Sequence, residues 1–193
     1  HAFIEAGKQV LRDFEKDGIG PGDIDAISCQ LAEPGLTLVT EPRDRKKAPQ
    51  TPHEARFSLP YGVATTLVHG DVDLDSFRPD RLKEAEVLKL AALVEASVDP
   101  DSDYPNHCPA RLTVEAKGRT YFRHVPYHPG SPEAALSEDD VLDKFERNSR
   151  WLLGADARSA GGAIAALADS ATMDDVIACI APLQRDAARR LSA

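Results

Sequence analysis

The sequence predicts an α+β fold, with a small mixed sheet packed against helices and a helical tail behind it. Three observations predict this class. Segments that alternate apolar and polar residues are few and short, segments with helical periodicity surround them, and every periodic segment after Ser137 is helical. We therefore divide the 193 residues into an α+β domain over 1–136 and a helical tail over 137–193.

The first part of the predicted domain contains a helix, a strand and a loop. Apolar residues from Ala2 to Lys16 fall on one helical face, and Ile24 to Ala32 alternates as a half-buried strand does. Leu36 to Thr40 is expected to continue this strand or to pair with it. Glu41 to Pro52 has three prolines, a run of charged residues and almost nothing apolar, which predicts a loop.

The second part alternates between helices and strands, and the tail is helical. Its predicted elements are a helix over Ala55 to His69, a helix opening at Pro79 and Asp80, a strand over Leu93 to Val98, and a hairpin whose strands, Arg111 to Ala116 and Thr120 to Val125, flank Lys117-Gly118-Arg119. In the tail, Ser137 and Asp140 predict a capping box, and two short helices are expected over Ala163 to Leu167 and Met173 to Leu183.

Composition excludes several functional classes. The net charge of -9 and pI near 5.1 argue against nucleic-acid or anionic-membrane binding, and no apolar run approaches the ~20 residues of a membrane span. The three cysteines (Cys29, Cys108 and Cys179) are widely spaced and indicate no disulfide framework, which favours the cytoplasm. Because the chain opens with His1 rather than Met, we interpret it as the later part of a longer protein.

Four stretches carry a family resemblance. They are His1-Ala2-Phe3-Ile4-Glu5-Ala6, the segment PHEARFSLPYGVA at residues 52–64, the hairpin around Gly118, and Leu136-Ser137 leading to Lys144-Phe145. Over roughly residues 1–150, they resemble the carboxy-terminal region of the MmgE/PrpD family. A lysine-bearing segment that precedes the first stretch in that family is absent from this chain.

The resemblance implies a fold, an activity and partners. It implies a two-domain enzyme in which an amino-terminal helical domain packs on the helical tail, usually in a homodimer, with the active site between the domains. The implied activity is that of a lyase or isomerase acting on small polycarboxylates without metal or cofactor. Dehydration of a 2-methylcitrate-like substrate is placed slightly ahead of decarboxylation or epimerisation. The alternative is a catalytically inactive domain that only dimerises or docks onto its partner.

The resemblance and the spacing of polar residues together give site residues. His1 matches an active-site histidine of the family and is the first candidate for proton transfer, with Tyr61 as a second catalytic group. His53 and Arg56 share a helical face, and a guanidinium fork suits a carboxylate. Ser58 is a further substrate-binding candidate. From the residues alone, a helix cap for Ser58 and a core position for Tyr61 come somewhat ahead of roles in the site.

The basic run at residues 43–47 provides the last candidates. An acidic protein needs a local positive surface to attract polycarboxylates, so Arg45 and Lys47 are assigned to substrate binding. The commoner meaning of such a run is a solvated charged loop. His107 with Cys108, and His124 with His128, are too poorly spaced to predict a metal site.

Overall fold

The alternating segments of the sequence form one four-stranded mixed sheet. Its strands are β1 (Ile24–Leu31), β2 (Val94–Val98), β3 (Ala110–Ala116) and β4 (Arg119–Val125). Their order is β2-β1-β3-β4; β1 is parallel to β2, and the other pairs are antiparallel. This computed structural model describes residues 1–168 and 172–191. The α+β class predicted from the sequence is confirmed.

Three helices cover the sheet and complete its core. They are α1 (Ala2–Asp17), α5 (Leu59–His69) and α6 (Ala85–Leu93); α1 packs on β3, β4 and α5. Gly7 lets α1 approach α5 closely, since a Cβ at that position would lie 2.8 Å from Cγ2 of Thr66. The largest fully buried side chains include Phe14, Tyr61 and Leu112.

The predicted hairpin is present, with Arg119 in β4 rather than in the turn, and the first helix ends at Gly18. Lys117 and Gly118 connect β3 to β4 and have φ values of 49° and 71°. Two positive φ values in a two-residue connection are typical of the type I′ turn, whose twist matches that of paired strands. Gly18 ends α1 in the left-handed conformation, with φ of 65°.

Two predictions between residues 33 and 52 are wrong. Residues predicted as a second strand form α2 (Glu33–Thr40), where Leu36 and Val39 pack on the core while Leu38 is 59% exposed. The buried residues Leu36 and Val39 are three apart, which is the spacing of a helix and not the alternation of a strand. Inside the predicted loop lies α3 (Arg43–Lys47), a short helix whose long cationic side chains bond to neighbouring elements.

Two further predictions need correction at helix boundaries. The helix expected over Ala55 to His69 is divided into α4 (Pro52–Arg56) and α5, because Ser58 is extended and Pro60 has no N–H to continue the first helix. The helix expected to open at Pro79 begins only with α6, after a 3-10 turn at Arg81–Lys83. Ala85, the first residue of α6, is exposed.

The chain divides into two units, His1–Ala135 and Leu136–Ala193. In the second unit, the described elements are α7 (Glu138–Leu153), α8 (Ala157–Ala165) and α9 (Met173–Leu191). The Ser137–Asp140 capping box is confirmed. The two short tail helices were predicted with different bounds, since α8 starts earlier and α9 runs on past Pro182. No helix within the described residues is long and apolar enough to cross a membrane.

Candidate ligand-binding cavity

A cavity of about 270 Å³ opens in the first unit. Five segments surround it: the first turn of α1, the end of β1 with α2, the junction of α4 and α5, residues 72–77, and the loop between β2 and β3. Most of the lining is apolar and includes Phe3, Ile4, Leu31, Leu59, Val63 and Phe77. An apolar wall excludes water and strengthens electrostatic interactions at its edge.

The charged side chains of the cavity are basic. Its lining belongs wholly to described residues and contains Arg56 and His1 but no Asp or Glu. Polar groups are added by Ser58, Tyr104 and Cys108. A cavity with a cation and no carboxylate favours an anionic ligand, although the protein carries a net charge of -9.

Arg56 differs from the other arginines of its unit. Of the nine arginines in residues 1–135, all of which the structure describes, Arg56 alone has no carboxylate within ion-pair distance. Its guanidinium carbon lies 5.5 Å from the centre of the Phe77 ring, and the residue is exposed. The ring supports the side chain by a cation–π contact and leaves the guanidinium hydrogens available to a ligand.

The residues that begin and end α4 explain why Arg56 lies at the cavity. Thr51 caps α4 and accepts a bond from the Glu54 backbone N–H at 3.2 Å, while Pro52 occupies the first turn, where no N–H is required. Arg56 is the last residue of this helix, because Ser58 caps the next one. The short helix therefore places one arginine at the junction that lines the cavity.

The first turn of α1 forms another part of the lining. His1 is the N-cap residue, and the first intrahelical bond runs from the Glu5 N–H to the His1 carbonyl at 3.1 Å. Backbone N–H groups before that bond have no acceptor inside a helix, so this end carries partial positive charge. The His1 ring lies 6.0 Å from the His128 ring.

Comparison with known proteins decides the family. Residues 1–169 match the MmgE/PrpD C-terminal domain. The chain belongs to the MmgE/PrpD family. The resemblance stated from the sequence is therefore confirmed, over a longer stretch than residues 1–150.

Two curated MmgE/PrpD relatives are similar to this chain. Cis-aconitate decarboxylase of Mus musculus is 27% identical over 109 residues, which cover 54% of this chain and 22% of the relative. Cis-aconitate decarboxylase-like protein oryM of Aspergillus oryzae is 24% identical over 186 residues, which cover 93% of this chain and 38% of the relative. The chain thus spans less than half the length of either protein.

Of the residues predicted for this MmgE/PrpD site, three lie at the cavity: His1, Arg56 and Ser58. Ser58 is buried, and its hydroxyl accepts a bond from the Tyr61 N–H at 3.0 Å while donating to the Lys46 carbonyl. Its capping role is therefore confirmed, and one hydroxyl lone pair remains for a ligand. Substrate binding by Ser58 stays a prediction.

Tyr61 and His53 do not line the cavity. Tyr61 is 1% exposed, and its hydroxyl donates to the Ser76 carbonyl at 2.7 Å, so the predicted core packing is confirmed. Burial raises the pKa of Tyr61. The His53 ring is exposed and contacts Phe57, with ring centres 5.0 Å apart. Phe57 itself lines the cavity, so His53 contacts a lining residue without lining the cavity.

Arg45 and Lys47 are held by other protein groups. Arg45 pairs with Glu54, and Lys47 donates to Glu95 and to the Ala92 carbonyl, both at 2.8 Å. Neither residue is part of the cavity lining. The expected mobile positive loop is in fact a helix whose cations fasten it to α4, α6 and β2, so the geometry gives these two residues no place at the cavity.

Three lining residues were missed from the sequence: Phe77, Tyr104 and Cys108. Phe77 lies in a 3-10 turn at Asp75–Phe77, and the other two lie in the polar loop after β2. No periodic pattern marks either segment. The proline content of the loop near Pro105 and Pro109 was its only sign of an ordered shape.

Proposed function

We propose that this chain supplies the substrate cavity of a lyase that acts on small polycarboxylates, with Arg56 binding one substrate carboxylate. The observation that supports this is the unpaired guanidinium of Arg56 at a cavity whose lining has no acidic residue. Arginine and carboxylate match geometrically, since two parallel N–H bonds join the two planar groups. The first turn of α1 adds backbone dipoles of the right sign for a second carboxylate.

His1 is proposed as the group that moves a proton. It stands at the cavity rim, and an imidazole exchanges protons close to neutral pH. In a decarboxylation, the bond between carbon and carboxylate breaks, CO₂ leaves, and the electron pair left on carbon takes up a proton. Protonated His1 would supply that proton, and Arg56 would hold a carboxylate that stays on the product.

Decarboxylation of a cis-aconitate-like triacid is our first proposal for the reaction. Both matched relatives have cis-aconitate decarboxylase in their names, which favours it over dehydration of a 2-methylcitrate-like acid. Epimerisation comes third. We also propose that an amino-terminal helical domain in the whole protein closes the cavity, and that the whole protein forms a homodimer.

An inactive docking or dimerisation domain is the second candidate. Within the described part of the second unit, large apolar side chains are exposed, among them Trp151 at 61% and Ile177 at 57%. Such side chains are typical of a surface that another protein segment covers. This observation fits an enzyme with a further domain equally well, so catalysis itself must separate the two candidates.

The test is an assay of the protein that contains this chain with cis-aconitate, 2-methylcitrate and iminodisuccinate. CO₂ release together with loss or shift of double-bond absorbance is expected with cis-aconitate. Double-bond formation from 2-methylcitrate without CO₂ release would replace decarboxylation by dehydration. No turnover of any of the three acids, by protein that is folded, would favour the docking domain.

A further inference from the structure

Two loops of the first unit approach the cavity from the sheet. Residues 99–109 connect β2 to β3, and Tyr104 and Cys108 of this loop line the cavity. Residues 126–134 follow β4 and include His128, whose ring lies 6.0 Å from the ring of His1 at the cavity rim. The relative position of these two loops therefore influences the shape of the cavity entrance.

His107 joins the two loops by its ring nitrogens. Nδ1 bonds to a carboxylate oxygen of Asp103 in its own loop, and Nε2 lies 3.2 Å from Oε1 of Glu133 in the other loop. The ring also packs edge-on against Tyr127, with centres 4.8 Å apart. The charged groups that face His107 are thus Asp103 from its own loop and Glu133 from the loop after β4; we name the set of three the His107 bridge.

We propose that the His107 bridge is a pH-dependent device that positions loop 99–109 at the cavity. A protonated imidazole donates from both nitrogens and binds both carboxylates, whereas a neutral one donates from one nitrogen only. The bond to Asp103 joins two residues of the same short loop and is the one retained on deprotonation. The bond to Glu133 is lost, and the two loops separate.

The pKa shifts of the bridge residues give the same direction of pH dependence: the bridge is closed at low pH and open at high pH. Hydrogen bonds from the ring to Asp103 and then to Glu133 raise the pKa of His107 above its ordinary value of 6.5. The pKa of Glu133 is lowered, first by a backbone bond and then by the bond from His107. For a group whose pKa is raised by folding, the stabilisation is complete below the unfolded value and is lost as pH rises through the folded value. The bridge is therefore closed at pH values below the ordinary histidine pKa and opens as pH rises through the raised pKa of His107.

Amide hydrogen exchange measured by mass spectrometry tests the proposal without any substrate. Exchange times are corrected for the intrinsic effect of pH, and peptides covering residues 99–109 are compared at about pH 6 and about pH 8.5. The wild-type chain is expected to show about threefold more protection at the lower pH, a size typical of an exposed ion pair. In His107→Gln, which carries no titrating ring, this difference is expected to vanish.

The matched control is His69→Gln. His69 also pairs with a carboxylate, Glu84, at 3.0 Å, but it belongs to the end of α5. This variant should keep the pH difference in loop 99–109. If His107→Gln does not fold, Glu133→Gln replaces it and should also abolish the difference. A wild-type loop with equal protection at both pH values, or the loss of the difference in His69→Gln, would overturn the proposal. Because no turnover is measured, failure here leaves the proposed lyase function standing.

Discussion

Two regions of this molecule, the helix α3 and the end of α4, both carry basic side chains, but the structure pairs the cations of only one of them with carboxylates. In α3, Arg43 and Lys47 share Glu95, and Arg45 pairs with Glu54. At the end of α4, Arg56 has an aromatic ring beside it and no carboxylate. Both regions were expected to bind substrate.

The difference teaches that the availability of a cation depends on its partners and not on local charge density. Three of the four cations in α3 meet carboxylates from elsewhere in the fold, and their bonds then hold the helix in place. An isolated arginine beside an apolar wall meets no acid and keeps its hydrogen-bonding capacity. The sequence shows where basic residues are concentrated but not which of them remain unpaired.

The largest expected effect separates the two regions directly. Arg56→Ala in the protein that contains this chain should lower kcat/KM for the accepted polycarboxylate by about 100-fold, because a charge-assisted bidentate bond is lost. Arg45→Ala is the matched control and should change kcat/KM by less than about twofold. Equal losses in both variants would show that the comparison between the regions is false.

A smaller effect is expected where α3 is fastened to α5. Ser58→Ala removes the cap of α5 and the bond to the Lys46 carbonyl, so the free energy of unfolding should fall by about 1–2 kcal/mol. Urea denaturation measures it, with Ser97→Ala, an exposed serine in β2, as a control that stays within about 0.5 kcal/mol of wild type. If Ser58→Ala is as stable as its control, the hydroxyl does not hold α3.

The smallest expected effect is a pH dependence. A backbone bond from Gln50 and then the bond from Arg45 lower the pKa of Glu54 below its ordinary value of 4.5. A lowered carboxyl pKa gives stability that is present above the unfolded value and lost as pH falls through the folded value. Glu54→Gln should therefore lose less stability than wild type when pH falls from about 5 to about 3.

Asp25→Asn, at an exposed position in β1, is the control for this titration and should follow the wild-type curve. The free energy of unfolding at each pH is obtained from urea titrations. Parallel curves of unfolding free energy against pH for Glu54→Gln and wild type would mean that the pairing of Arg45 with Glu54 has no energetic effect. The helix α3 would then be less firmly held than we describe.

Local patterns explain most of the fold that the sequence predicted. Alternation placed Ile27, Cys29 and Leu31 on the buried face of β1, and the two residues Lys117 and Gly118 specified the hairpin. Both signals act between near neighbours in the chain. The helix α3 was missed because its side chains bond outside the helix, to Glu54 and to the much more distant Ala92 and Glu95.

The site was predictable only where its residues belong to patterns that are local in the sequence. His1 was named from the family resemblance and Arg56 from its helical spacing and its guanidinium fork, and both line the cavity. Tyr61 was placed in the site although its hydroxyl bonds to the Ser76 carbonyl in the interior. Tyr104 was missed because its position depends on how the loop after β2 folds back, which no periodic pattern indicates.

The most direct test of the central claim is a binding cycle that pairs Arg56 with one substrate carboxylate. Calorimetry would compare wild type and Arg56→Ala, in the protein that contains this chain, with cis-aconitate and with its three monoamides. For one monoamide, we expect the loss of affinity caused by Arg56→Ala to shrink from about 100-fold to about threefold or less, because the partner group is already gone. An equal loss for the triacid and all three monoamides would contradict the claim that Arg56 binds a substrate carboxylate.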